Sequence, residues 1–207
     1  MSRVKALDRQ EFDPELRART DSLEEVELGH LRILGNSPRV ALAFVNFMGS
    51  VNDASLLPRR LVELVRLRIA FHNQCPHCMA IRFEDAVEEG LAESLVCTLE
   101  KPEEAPDLDA RERAALDYAD KVATNHFAVD ESTFEKLREH FSEREIVELG
   151  VYAAIFVGFG RVTTGWSFTD DLPERYRHTT PGGLTFADDA LVMPVHHAVA
   201  AGVRAGE

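Results

Sequence analysis

A chain of 207 residues with 45% hydrophobic content is long enough for one substantial domain and too apolar to be wholly disordered. Its 36 acidic and 23 basic residues give a net charge of -13, which repels phosphate backbones and anionic bilayers, so neither nucleic acid nor a membrane is expected as a partner. Three cysteines, a low and odd number, argue against a disulfide-stapled secreted fold.

The first residues place Asp8, Glu11 and Asp13 where an export signal would carry its apolar core. Charge or glycine interrupts each apolar stretch before the roughly 18 residues of a membrane span. A cytoplasmic protein is therefore expected.

In chain order the pattern is helix after helix. Pro14 and Glu15 open a segment predicted to run to about Leu34, where Gly35, Asn36 and Pro38 close it. Pro38 begins a short apolar segment that Gly49 ends, and residues 52–57 read as a loop. Pro58 starts the next helix at a position where its missing N–H costs nothing, and Leu61, Leu64, Val65, Ile69 and Phe71 follow near helical spacing. After Asn73 and Gln74 the helical pattern resumes from Pro76 to about Glu89, with Gly90 as its stop.

A short segment over 91–100 leads into a loop from Lys101 to Pro106. Asp109 with Glu112, Ser132 with Glu135, and Ser142 with Glu145 each have capping-box spacing. They predict helices ending near Asn125, near His140 and near Phe168. The last of these is the most apolar of the chain, and its Gly150, Gly158 and Gly160 would each weaken an exposed helix by about 1 kcal/mol relative to alanine. A core or subunit-interface position is expected for it, with a strand in part of the segment as the alternative. Trp166 at its end reads as packing, and Tyr118 and Tyr152 read as core or half-buried. Residues 173–207, rich in Pro, Gly, Ala and His, read as a tail that wraps a neighbouring subunit or is partly disordered.

The expected architecture is all-α. One domain covers 1–172, with N-terminal helices in 1–57 and a core in 58–172, and the tail covers 173–207. Leu61-Val62-Glu63-Leu64 and Ile146-Val147-Glu148-Leu149 open two apolar helices in the same way, as two helical hairpins packed about a local pseudo-two-fold would do.

The chemistry is to be sought at Cys75-Pro76-His77-Cys78. Two residues between cysteines on the first turn of a helix bring both thiols to one side. Unpaired N–H groups at a helix start favour the thiolate of the first, and Pro76 is suited to that first turn. A thiolate attacks a disulfide or a peroxide, and the partner thiol resolves the product. Half a zinc site is the competing reading, with His72, His77 and His126 as further ligands, but zinc wants four and no second cysteine pair exists. An inert buried pair is the other.

His77 is a candidate proton carrier between the thiols, or a solvent-facing residue. His72 reads as structural, and His178, His196 and His197 are not tied to the motif by spacing. Cys97, within Leu95-Val96-Cys97, reads as a buried small hydrophobe. Glu63 lies among Leu61, Leu64 and Val65, where an inward carboxylate would serve as a general base; a surface glutamate fits the pattern as well. No nucleotide fingerprint is present, and no cofactor or metal is expected.

The segment Glu63 to Arg82 resembles the signature of the alkylhydroperoxidase D and carboxymuconolactone decarboxylase superfamily, through Glu63, Cys75, His77, Cys78 and the helix around Glu63. The later stretches beginning at Asp109 and Ser142 resemble it too, so the likeness covers about 38–170. It implies a helical bundle in which Glu63 and His77, with water, help to deprotonate a Cys75–Cys78 pair that cycles through a disulfide. Which thiol attacks first is open. The resemblance also implies a hydroperoxide or small disulfide as substrate, a lipoyl- or thiol-bearing electron donor, and assembly into a homotrimer or homohexamer.

One position departs from the pattern. Arg82 stands where the relay's second histidine belongs, and arginine does not shuttle protons at neutral pH. Pairing with Glu63, holding an anionic substrate, stabilising a thiolate, and a salt bridge without chemical role are its four readings. The expected function is a thiol-dependent oxidoreductase. A non-redox enzyme of the decarboxylase type and a non-catalytic oligomeric protein are the alternatives.

Overall fold

A computed structural model describes residues 2–177, 183–186 and 190–193. The helices are α1 (Pro14–Arg19), α2 (Glu25–Leu28), α3 (Leu31–Leu34), α4 (Pro38–Ala54), α5 (Arg59–Asn73), α6 (Pro76–Ala80), α7 (Glu84–Glu88), α8 (Glu93–Thr98), α9 (Ala110–Thr124), α10 (Glu131–Arg138), α11 (Glu143–Trp166) and α12 (Glu174–Arg177). Two three-residue strands, β1 (Ile81–Phe83) and β2 (Leu191–Met193), pair in parallel, with Ile81 opposite Leu191. The expected all-helical class holds apart from this small sheet.

The core is built on α5, whose Leu61, Leu64, Val65, Leu67, Ile69 and Ala70 are all buried. α9 and α11 both pack against it and against each other. Leu61 to Leu64 and Ile146 to Leu149 thus open neighbouring helices. Each carries a glutamate that accepts a backbone N–H from another segment: Glu63 from Phe83 at 3.2 Å and Glu148 from Leu56 at 2.8 Å.

Several boundaries differ from the sequence reading. The helix expected over 14–34 is three short helices: α1 ends at its C-cap Thr20, and Gly29, at φ +44, turns the chain between α2 and α3. α4 runs through Gly49 to Ala54, since Gly49 is buried and needs no side chain to pack. The helix expected from Pro76 to Glu89 is interrupted by β1, where the 81–83 backbone pairs with β2 instead of continuing its own turn. Ahead of α10 the capping box is Asp130 with Thr133, not Ser132 with Glu135. Those at Asp109 and Ser142 stand as expected.

Cys97 is exposed, not buried. Leu95, Val96 and Leu99 take the inward face of α8, and a helix of 3.6 residues per turn then points residue 97 outward. Among the described helices α11 alone is long and apolar enough to cross a membrane. Here its Leu149, Tyr152, Ala153, Gly160 and Thr163 are buried against the rest of the chain. Within 173–207, Leu184 and Phe186 are buried in the main core and Met193 is buried beside β1. His178, His196 and His197 lie outside the described residues.

Candidate active site

α5 ends at Gln74, which takes a left-handed conformation at φ 48 and swings the chain into the cysteine motif. The end of the helix is tied down first. Asn73 reaches across α11 to donate to the Phe156 carbonyl at 3.0 Å, passing over Gly160, where a Cβ would stand 2.6 Å from its amide nitrogen. Cys75 then caps α6, its amide donating to the Ala70 carbonyl and its sulfur accepting from the Cys78 amide at 3.3 Å. α6 has five residues, so this one N–H, more than any long-helix dipole, is what meets the sulfur.

Cys75 and Cys78 are joined by a disulfide, with Cα atoms 5.3 Å apart. Their environments differ sharply. Cys75 is 1% exposed, with its sulfur 3.6 Å from the Thr163 hydroxyl of α11. Cys78 is partly exposed and lines a cavity of about 830 Å³. α5, α6 and α11 form one side of that cavity and the segment from Leu16 to Met48 forms the other. Leu28, Leu31, Phe44, Met48, Phe156 and Phe159 make much of the wall apolar.

His77 lines the same cavity. Its ring lies against His30, centroid to centroid 4.0 Å, and Gly29 approaches so closely that a Cβ there would be 2.8 Å from His77 Nε2. Burial, and secondarily the Arg66 charge, hold the His77 pKa down at about 4. Burial and then the His77 charge hold His30 well below the usual histidine range. Both imidazoles are therefore neutral at pH 7 and able to accept a proton.

Glu63 is buried and lines the cavity. Both of its oxygens accept from Arg66 at 2.6 Å, and Arg66 also donates to the Cys78 and Ile81 carbonyls at 2.7 Å each. Arg82 is elsewhere. It is fully buried, pairs with Glu93 at 2.8 and 3.1 Å, and donates to the Met79 and Ile81 carbonyls. Of its four readings the geometry bears out the salt bridge to an acidic neighbour.

His72 likewise pairs with Asp120 at 2.7 Å, together with Arg68. Glu63, His77 and Cys78 thus meet at one cavity, Cys75 sits behind its wall, and Arg82 and His72 hold the structure around it. His30, Arg66 and Thr163 were not singled out from the sequence. Arg66 follows Glu63 by one turn and was open to a charge-pairing argument; nothing local marks His30, 45 residues before Cys75.

Residues 38–121 match the profile of the carboxymuconolactone decarboxylase family. The matched segment takes in Glu63, the cysteine motif and Arg82. An uncharacterized protein of Mycobacterium tuberculosis is 35% identical over 116 residues, which are 55% of this chain and 40% of that protein. The chain thus spans well under half the length of this curated relative. A peroxidase-related protein of Ralstonia eutropha with an alkylhydroperoxidase core superposes with a TM-score of 0.69 at 21% identity, over 85% of this chain and 94% of that one. A protein of unknown function from Agrobacterium tumefaciens, linked by its name to alkylhydroperoxidase D antioxidant defence, gives 0.55 at 26% identity, over 66% and 93%. The superfamily match takes in α4 to α9 and leaves out α1 to α3, which bring His30 to the cavity.

Proposed function

We propose that this protein is a thiol-dependent oxidoreductase of the alkylhydroperoxidase or disulfide reductase type, cycling Cys75 and Cys78 between dithiol and disulfide. The observation that carries the reading is the asymmetry of the pair, one sulfur closed behind the wall and the other on a large, mostly apolar cavity. That asymmetry supports Cys78 as the attacking thiol and Cys75 as the resolving one.

The Cys78 thiolate attacks the distal oxygen of a hydroperoxide, the S–O bond forms, the O–O bond breaks, and the alkoxide leaves with a proton as the alcohol. The Cys75 thiol then displaces water from the Cys78 sulfenic acid and closes the disulfide. Two electrons have passed to the peroxide. A dithiol donor of the lipoyl type, or another thiol, returns them by exchange through a mixed disulfide. With a small disulfide as substrate, the same pair works through a mixed disulfide at Cys78. The apolar walls favour a substrate with an organic body over hydrogen peroxide.

In this reading His77 takes the Cys78 proton. Glu63 assists through Arg66, whose guanidinium fixes the Cys78 carbonyl, and Arg82 anchors the backbone after the motif. The protein is soluble and cytoplasmic and assembles as a homotrimer or homohexamer, a state that the exposed Val147 and Val162 of α11 support.

Thiol trapping across a graded dithiol buffer, with stopped-flow mixing of the reduced protein and an organic hydroperoxide, tests the assignment. A reversible Cys75–Cys78 couple with rapid oxidation is expected. Turnover of a lactone acid by a protein lacking both cysteines would instead establish the decarboxylase reading.

A further inference from the structure

His30 and His77 reach the cavity from different parts of the chain. His77 comes from the cysteine motif, and His30 from the joint between α2 and α3, outside the segment that matches the superfamily profile. His30 is the middle of an aromatic column. On one side lies His77 at 4.0 Å; on the other Phe159 stands edge-on at 5.8 Å and is itself stacked on Phe44 at 4.5 Å. α4 and α11 therefore set the place of His30, and His30 sets the place of His77.

We propose that His30 is a positioning residue of the thiol site, laid on His77 by the N-terminal segment to fix the imidazole that takes the proton from Cys78. The inference rests on the thiol-redox reading above.

Three observations carry it. First, neither imidazole has a hydrogen-bonding partner among the described protein residues, whereas His72 gives its Nε2 to Asp120. A tilted ring contact, not a hydrogen bond, orients His77. Second, the left-handed turn at Gly29 brings backbone against His77 Nε2, a contact that any side chain at 29 would obstruct. Third, the other groups suited to orienting His77 are engaged: Glu63 is held by Arg66, and Arg82 by Glu93 away from the cavity.

The charged groups lining the cavity are Arg19, Glu24 and Glu27 of the N-terminal segment, Arg59, Glu63 and Arg66 of α5 and Asp85 of α7, while α11 presents Phe159 and Gly160. Burial and the nearest cation, Arg66, keep the His77 ring neutral before the proton arrives. In the step itself the Cys78 S–H bond breaks, the electron pair stays on sulfur, and the proton moves to His77. It leaves later with the alkoxide or thiolate that departs from the substrate.

The test is the rate of Cys78 alkylation by iodoacetamide in the fully reduced protein, followed by peptide mass spectrometry from pH 5 to 10. Wild type, His30→Ala, His30→Gln and His30→Phe are compared, with circular dichroism confirming the fold. We expect His30→Ala and His30→Gln to slow the reaction at pH 7 by about tenfold or more and to move its midpoint to higher pH. His30→Phe, which keeps an aromatic ring against His77, restores most of the rate. A folded His30→Ala or His30→Gln protein with the wild-type pH profile overturns the proposal. A wild-type Cys78 that does not react at any pH overturns the thiol-redox reading itself and this inference with it.

Discussion

Glu63 and Arg66 are locked together one helical turn apart, with both carboxylate oxygens accepting from the guanidinium at 2.6 Å. The pair is almost wholly removed from water, and the same guanidinium holds the carbonyls of Cys78 and Ile81. It joins the central helix to the segment that carries the reactive sulfur. Losing one partner leaves a buried charge without compensation, so Arg66→Met is expected to lower stability by about 3–5 kcal/mol. Urea denaturation measures it. Glu63→Gln keeps an acceptor but leaves the Arg66 charge uncompensated, so its cost reads the charge apart from the hydrogen bonds.

Arg82 makes the opposite case, a residue within the motif region whose work is structural. Its side chain is fully buried between Glu93 and two carbonyls, and it does not line the cavity. Replacing it with the histidine of the superfamily signature should not supply a proton relay. Arg82→His is expected to lose about 2–4 kcal/mol of stability, since Glu93 and the Met79 and Ile81 carbonyls lose their donor. Cys78 alkylation in the remaining folded protein should match wild type. An Arg82→His protein that oxidises faster than wild type would refute this account.

Gly29 leaves no room for a side chain beside His77. Its φ of +44 disfavours any side chain, and a Cβ would stand 2.8 Å from His77 Nε2. Gly29→Ala is expected to cost about 1–3 kcal/mol in backbone strain and to push His77 off His30. Thermal melts read the first effect, and histidine ring NMR shifts read the second.

Acid should weaken the protein through the histidine pair. The folded pKa of His77 is about 4 against an ordinary 6.5, and His30 is lowered as well. Between those values the unfolded chain binds more protons than the folded one, so stability is present above about pH 6.5 and is lost as pH falls toward 4. The slope for one such proton is about 1.4 kcal/mol per pH unit. Asp120, whose His72 and Arg68 partners lower its pKa, adds a loss in the same direction further into acid. Urea midpoints from pH 7.5 to 4.5 should therefore fall less steeply in His77→Gln than in wild type.

The sequence by itself determined the helical class, the core helix 59–73, the caps at Asp109 and Ser142, and the position of the cysteine pair. Each depends on neighbours a few residues apart: periodic apolar side chains, a capping carboxylate, two thiols on one turn. The tertiary structure decided what lies between those elements. Whether residues 81–83 continue a helix or join a strand depends on β2, more than a hundred residues later. Whether Arg82 serves the chemistry or the packing depends on Glu93, and the ring beside His77 comes from a turn set by Gly29. A buried charge takes its role from the partner that neutralises it, and an imidazole from the ring packed against it. Those partners are chosen by the packing of the whole chain.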